Sequence, residues 1–199
     1  MIHIRQSRPR FQFKKISLIL AVEPGFSYIN LMIPVTLMIA LSADGKIAKD
    51  KNQLANWTSP EDKKLFVTES KKHGVVMMGE NTFNTFPAPL PNRLNVVFSE
   101  NPKPDYDNVK YVSGEPEKVL IELEQLGYKS ALLGGGCFLN SLFLKNKLIS
   151  EIVLTIEPVI FGQGLPLFDC ETSAKLELKA LEKLNDNTFA AKYAVKYPN

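Results

Sequence analysis

The sequence predicts an α/β domain of three layers, with a mostly parallel central sheet that ends in antiparallel strands. Three observations lead there. From Ile33 onward, short apolar runs alternate with stretches of helical length, the pattern of successive βαβ units. The runs are punctuated by glycine or by Asn, Asp and Pro, which close strands and open turns. The last two runs flank Asn185-Asp186-Asn187 with no helix between them, as a hairpin requires.

Val35 to Leu41 is a continuous apolar strand of the kind buried on both faces of a sheet, and Asp44-Gly45 turns the chain into a loop. Ser59 is placed to cap a helix, with Pro60 at its first position and Glu61 and Asp62 complementing the positive end of its dipole. A strand bounded by glycines, Gly74 to Gly79, precedes a short helix from Asn81 to Phe86. Leu94 to Ser99 and Val109 to Val112 follow as strands, separated by a Pro- and Asp-rich surface turn over Asn101 to Asn108. Glu115 to Leu126 is helical, and Ser130 to Leu133 is a strand running into Gly134-Gly135-Gly136. A helix from Phe138 to Lys145, a strand from Ile149 to Ile156, and a hairpin of Lys175 to Leu184 with Thr188 to Tyr197 complete the chain. The domain is thus expected over 33–199. Residues 1–32, with a basic start, a short apolar run from Ile16 to Val22 and then Pro24-Gly25, are expected to be a disordered extension or to follow from a mis-assigned start. That run is far shorter than the roughly 20 residues of a membrane helix.

The chain has 199 residues, 45% apolar and 23% charged, which suits one globular domain with a sizeable core. Its formal charge of +3 includes Arg5, Arg8, Arg10, Lys14 and Lys15, so the body is near neutral and offers no nucleic-acid footprint. Cys137 and Cys170 show neither zinc-site nor disulfide spacing, so no metal is expected and a cytoplasmic setting fits. With His3 and His73 as the only histidines, most hydrolase triads are excluded and proton chemistry falls to carboxylates. Neither G-x-x-x-x-G-K-[ST] nor G-x-S-x-G occurs.

Two features remain that could carry chemistry. Asp62 and Phe66, four residues apart, project from one helix face and pair a carboxylate with an apolar wall, as a flat heterocycle would need; the same residues also read as ordinary helix capping. Gly134-Gly135-Gly136 lies between a strand and a helix, where bare backbone can approach a pyrophosphate or simply make a tight crossover. Met78-Gly79, before the helix containing Thr82, is a second strand-to-helix anion site of this type.

In order from Pro34 to Phe168 these segments resemble dihydrofolate reductase. Trp57 to Phe66 is similar to that family's W-x-x-P-x-D-x-x-x-F helix, and Val75 to Ser99 to its strand, helix, proline loop and strand. The resemblance implies a dihydrofolate reductase-like fold and NAD(P)H-dependent reduction of 7,8-dihydrofolate to tetrahydrofolate, in one-carbon metabolism. Asp62 would be catalytic with Thr155 hydrogen-bonded to it. Met38, Ala40, Phe66, Arg93 and Leu133 would bind substrate, Arg93 by gripping the glutamate carboxylate. Ala40, Ile47, Gly79, Glu80, Asn81, Thr82, Ser99, Glu100, Gly134, Gly135, Gly136, Cys137 and Phe138 would bind the cofactor. NADPH is the family expectation. Glu80 and Cys137 stand where the family usually has arginines, and Glu80 and Glu100 would repel a 2′-phosphate, which makes NADH use an alternative.

The chain also resembles the reductase domain of riboflavin biosynthesis, which shares the fold. Leu41 to Ala48 is close to that group's S-x-D-G-K-I-A loop, and Glu157 to Phe168 to its P-x-x-x-G-x-G-x-x-L-F tail. Gly134 replaces the acid that usually precedes that group's glycine pair, and no H-x-E with P-C-x-x-C marks an accompanying deaminase. A 5-amino-6-(5-phosphoribosylamino)uracil reductase is therefore the alternative, and a non-catalytic ligand-binding module of the same fold a third. The expected partner is a small pterin or pyrimidine, not a nucleic acid or membrane, and the expected state is a monomer or homodimer.

Overall fold

The computed structural model of the chain describes residues 32–198. The extension expected over 1–32 lies, apart from Met32, outside the described residues. The elements in chain order are β1 (Val35–Ser42), β2 (Lys46–Ala48), α1 (Pro60–His73), β3 (Val75–Gly79), α2 (Glu80–Phe83), β4 (Leu94–Phe98), β5 (Val109–Val112), α3 (Pro116–Gln125), β6 (Ala131–Leu133), α4 (Cys137–Lys145), β7 (Ile149–Glu157), β8 (Leu165–Pro166), β9 (Lys175–Lys183) and β10 (Phe189–Lys196).

The sheet has eight strands in the order β5-β4-β3-β6-β1-β7-β10-β9. From β5 to β7 every pairing is parallel, and β10 then runs antiparallel to both β7 and β9. The three-layer architecture with antiparallel closing strands is the one the sequence implies. Strand alternation divides the core. Val35, Leu37, Met77 and Leu133 face α3 and α4, packing with Leu120, Leu123 and Phe143. Met38, Val76 and Leu132 face the opposite way, toward Leu65 and Phe66 of α1 and Phe83 of α2. Leu37, Leu132 and Leu133 are fully buried, and each such side chain contributes roughly 1.5–3 kcal/mol of transfer free energy.

Ser59 caps α1 as its sequence position requires, its Oγ accepting the Asp62 N–H at 3.2 Å. Gly74 ends the helix at φ 70°, a left-handed conformation that a residue with a Cβ resists. Two elements differ from expectation. The helix expected over Asn81 to Phe86 covers only Glu80–Phe83, because Pro87 disfavours helical backbone at Phe86 and the chain leaves through tight turns. A second, two-stranded sheet of β2 and β8 is the other; strands of three and two residues are too short for any hydrophobic period to reveal.

That small sheet joins two distant segments. Lys46 pairs with Pro166 and Ala48 with Leu165, and a Cβ on Gly164 would lie 2.5 Å from the Ala48 carbonyl, so only glycine fits there. Asp44 completes the clasp by accepting the N–H groups of Phe161 (3.1 Å) and Gly162 (2.7 Å) and the Ser42 hydroxyl (2.6 Å). These bonds hold its pKa down at about 2, the Ser42 hydroxyl contributing most.

Candidate active site

A cleft of about 1910 Å³ opens at the carboxyl ends of the parallel strands, where α/β sheets bind their ligands. A single drug-sized ligand occupies a pocket of about 300–1,000 Å³, so this cleft has room for two molecules side by side. Met38 and Ala40 at the end of β1, with Ile47 on β2, form one wall, and Asp62 and Phe66 on α1 face into it. The rings of Phe66 and Phe86 lie nearly parallel, 6.4 Å apart, and extend the apolar floor on which a flat ligand could rest.

Asp62 is 8% exposed and meets the cleft from the first turn of α1. Burial pushes its pKa up. The Thr155 and Thr58 hydroxyls oppose that rise, Glu157 adds to it, and Lys63 weakly opposes it. Thr155 sits on β7 beside Ala40 of β1, fully buried and outside the cleft wall. Its Oγ1 has no partner at full hydrogen-bonding geometry, yet lies close enough to Asp62 to favour the ionised form. Burial, which disfavours the charged form, and the two threonine hydroxyls, which favour it, thus act on the same carboxyl in opposite directions.

Gly134, Gly136, Cys137 and Phe138 line the middle of the cleft. Gly136 caps α4, a helix of nine residues whose N-terminal amides face a prospective anion. Bare backbone is required here: a Cβ on Gly135, at φ 95°, would come within 2.9 Å of Ile39 Cδ1, and one on Gly136 within 3.2 Å of Thr82 Oγ1. Gly79, Glu80, Asn81 and Thr82 form the facing wall, and Ser99 and Glu100 the far end. There Ser99 Oγ (2.6 Å) and Lys103 Nζ (2.5 Å) both donate to Glu80, and the lysine holds the Glu80 pKa below its ordinary value. A cleft of this length, with a glycine cradle at a helix N-terminus and polar groups beyond it, fits a nicotinamide dinucleotide.

Three expected contacts, Arg93, Leu133 and Gly135, are placed elsewhere. Arg93 is 2% exposed and does not line the cleft; its Nε donates to the Pro91 carbonyl (3.0 Å) and its Nη1 to the Val67 carbonyl (3.4 Å) and Ser70 Oγ. A guanidinium so engaged braces α1 through its Nε and Nη1 and lies away from the cleft lining. Leu133 belongs to the α3/α4 core with Leu37 and Met77, because strand alternation turns it to the face opposite Phe66. Gly79 lines the cleft, but its own N–H is not free for an anion, since it donates to the Gly135 carbonyl at 2.8 Å. By the same bond Gly135 supports the cleft from beneath and does not line it.

Residues missed by sequence reasoning cluster around Asp62. Thr58 reaches it from the preceding loop, and Glu157, 2% exposed, accepts the Ser59 N–H and Oγ–H at 2.8 Å each. The one signal for Glu157 was a carboxylate following the apolar Ile152–Leu154 run and Ile156, directly before Pro158. Trp57 packs edge-on against Phe161 (4.9 Å, 73°), and Lys49 lies over the same ring at 5.4 Å, tying both ends of the loop before α1 to the tail after β7.

The family model of the RibD C-terminal domain matches residues 34–189, which takes in every strand of the cleft and both clasped segments. The chain belongs to this family. It is 27% identical to YwjB of Bacillus subtilis (strain 168), a protein of uncharacterised function, over 74% of this chain and 90% of that one. It is 37% identical to dihydrofolate reductase type 9 of Escherichia coli over 84 residues, 41% of this chain and 46% of the relative. A solved structure from Shewanella sp. PV-4, assigned provisionally to riboflavin biosynthesis, superposes with a TM-score of 0.70 at 26% identity, covering 82% of this chain and 99% of its own. As a RibD C-terminal domain with dihydrofolate reductase relatives, the protein is an NAD(P)H-dependent oxidoreductase with the dihydrofolate reductase-like fold.

Proposed function

We propose that this protein reduces a pyrimidine carrying a phosphoribosylamine, as 5-amino-6-(5-phosphoribosylamino)uracil reductases do, in preference to dihydrofolate. The span of the family match supports this reading: it includes the β2 and β8 segments that Asp44 clasps together, whereas the match to dihydrofolate reductase type 9 covers 41% of the chain. Arg93 agrees, since it is 2% exposed, stands outside the cleft lining and spends its Nε and Nη1 donors within the domain.

A sugar amine opens to an imine, and its reduction adds a hydride to carbon and a proton to nitrogen. The nicotinamide cofactor supplies the hydride. Asp62 holds the N–H edge of the heterocycle and delivers the proton, directly or through one water, with Thr155 and Thr58 steadying whichever form it takes. Phe66 and Phe86 support the flat ring, and the loop ending at Trp57 excludes water from the reacting bond. Lys63, next to Asp62 on the cleft wall, provides positive charge for the sugar phosphate.

NADH is an accepted cofactor in this reading. Lys103 is committed to Glu80, and Glu100 adds a second negative charge, so a ribose 2′-phosphate meets repulsion where a free 2′-hydroxyl finds acceptors. The test is cofactor oxidation followed by nicotinamide absorbance with the ribosylaminopyrimidine phosphate and with dihydrofolate in parallel. Turnover of the first with kcat/KM at least tenfold above the second is expected. Preferential turnover of dihydrofolate overturns the reading, and turnover of neither favours a binding module.

A further inference from the structure

Glu157 ends β7 with its side chain 2% exposed and no cation against it in any recorded ion pair among the described residues. A buried carboxylate costs several kcal/mol unless hydrogen bonds replace its water. Three donors do so here. The Ser59 N–H and Oγ–H both reach Oε1 at 2.8 Å, and Thr188 Oγ1 reaches Oε2 at 3.1 Å. Two of the three come from the residue that caps α1, and the same Ser59 Oγ accepts the Asp62 N–H. A continuous chain of hydrogen bonds therefore links Glu157, Ser59 and the backbone of Asp62. Thr188 extends it to the turn that precedes β10.

We infer that Glu157 is the positioning residue for Asp62, fixing the first turn of α1 against β7 through Ser59 and setting the field in which the Asp62 proton is held. Capping alone does not require this arrangement, because a lone serine suffices at the start of a helix. The additional carboxylate brings a negative charge beside the carboxyl that carries the proton in the proposed reaction. The groups facing Asp62 are few: Lys63 on its own helix, Thr58 before it, and Thr155 and Glu157 on β7. Lys63 pulls Asp62 toward ionisation and Glu157 pushes against it. Asp186 lines the hollow on the outer side of Glu157, across the chain from the cleft. The role deepens the proposed reductase reading and rests on Asp62 as its proton carrier, so the test includes a measurement that needs no substrate.

Two variants separate charge from bridge. Glu157→Gln keeps an oxygen for the two Ser59 donors and turns its amide to Thr188 Oγ1, which can accept; the geometry survives and the charge is lost. The Asp62 carboxyl, followed by carboxyl-carbon NMR in the full chain and assigned with Asp62→Asn, is expected to titrate at lower pH than in the unaltered protein. The high-pH limb of kcat/KM, measured with whichever heterocycle the protein reduces, moves the same way. Ser59→Ala keeps the charge and breaks the bridge. It is expected to leave the Asp62 midpoint in place, lower kcat roughly tenfold or more by misplacing the carboxyl, and leave KM for the cofactor unchanged. An unmoved Asp62 midpoint in Glu157→Gln, or full kcat in Ser59→Ala, overturns the inference. Should the unaltered protein reduce neither heterocycle, the proposed function fails while the NMR titration still decides the effect of Glu157 on Asp62. Should Glu157→Gln not fold, the kcat of Ser59→Ala decides alone.

Discussion

Asp62→Asn should cost activity and gain stability in the same molecule. The substitution changes one oxygen to an amide and leaves the Asp62 N–H, which the Ser59 cap uses, untouched. Thr155 and Thr58 can still donate to the remaining oxygen, so α1 should keep its place. Loss of a positioned proton donor predicts a fall in kcat of about 10²–10⁴-fold, with cofactor binding retained. The stability effect follows from burial. In the folded protein the Asp62 pKa lies above its ordinary value of 3.8, chiefly through desolvation. Between that value and the raised one the folded state binds more protons than the unfolded state, so stability falls as pH rises through the window and stays lower above it. Each unit of elevation corresponds to about 1.4 kcal/mol. The asparagine variant lacks this penalty, and urea unfolding at neutral pH should show a higher midpoint, with the two proteins converging below pH 3.8. Unchanged turnover would refute the proton role. A lower urea midpoint at neutral pH, with the fold intact, would show that the carboxylate is stabilised by its surroundings and not strained by them.

Arg93→Leu should lower stability by about 2–4 kcal/mol, since Pro91 O, Val67 O and Ser70 Oγ lose a buried donor, while KM for the reducible substrate stays level. A raised KM at unchanged stability in the same denaturation and kinetic assays would restore the carboxylate grip inferred from dihydrofolate reductase. Glu80→Gln frees Lys103 and removes one charge near the ribose; the ratio of kcat/KM for NADPH over NADH should rise by about tenfold, and a fall would contradict the repulsion argument. Asp44→Asn loosens the clasp between β2 and the 161–162 turn. Because the Asp44 pKa is depressed to about 2, its contribution is present above 3.8 and lost as pH falls through about 2, so variant and parent should converge in thermal denaturation only at that acid extreme.

Much of the fold was legible because its central strands β1 and β3 are buried on both faces and run into glycine. β1 and β3 read as apolar runs with no polar alternation, which in a chain of βαβ units means the interior of a parallel sheet. The cap at Ser59 was equally clear, since Ser-Pro-Glu-Asp satisfies each preference of a helix start in turn. Illegible from sequence was the face of the sheet on which a residue sits once the strand is three residues long. Leu133 ends β6 with buried neighbours on both sides of it, so periodicity could not say whether it met the cleft or the α3/α4 core, and only its register with Leu37 and Met77 decides.

The misplacement of Arg93 has a different cause. A motif records that an arginine stands at a position, and not which of its five donors are already taken. Here the Nε and Nη1 donors are claimed within the domain, by the turn that precedes β4 and by the last turns of α1, so the residue that would mark a folate site instead rigidifies the helix carrying Asp62. Glu157 shows the converse. It matched nothing expected of a catalytic group, yet its oxygens converge on the cap of that same helix. Both residues hold α1, Glu157 at its capped start through Ser59 and Arg93 toward its other end through Val67 and Ser70. The helix that carries this buried carboxyl is therefore braced by two buried side chains of opposite charge that do not line the ligand cleft.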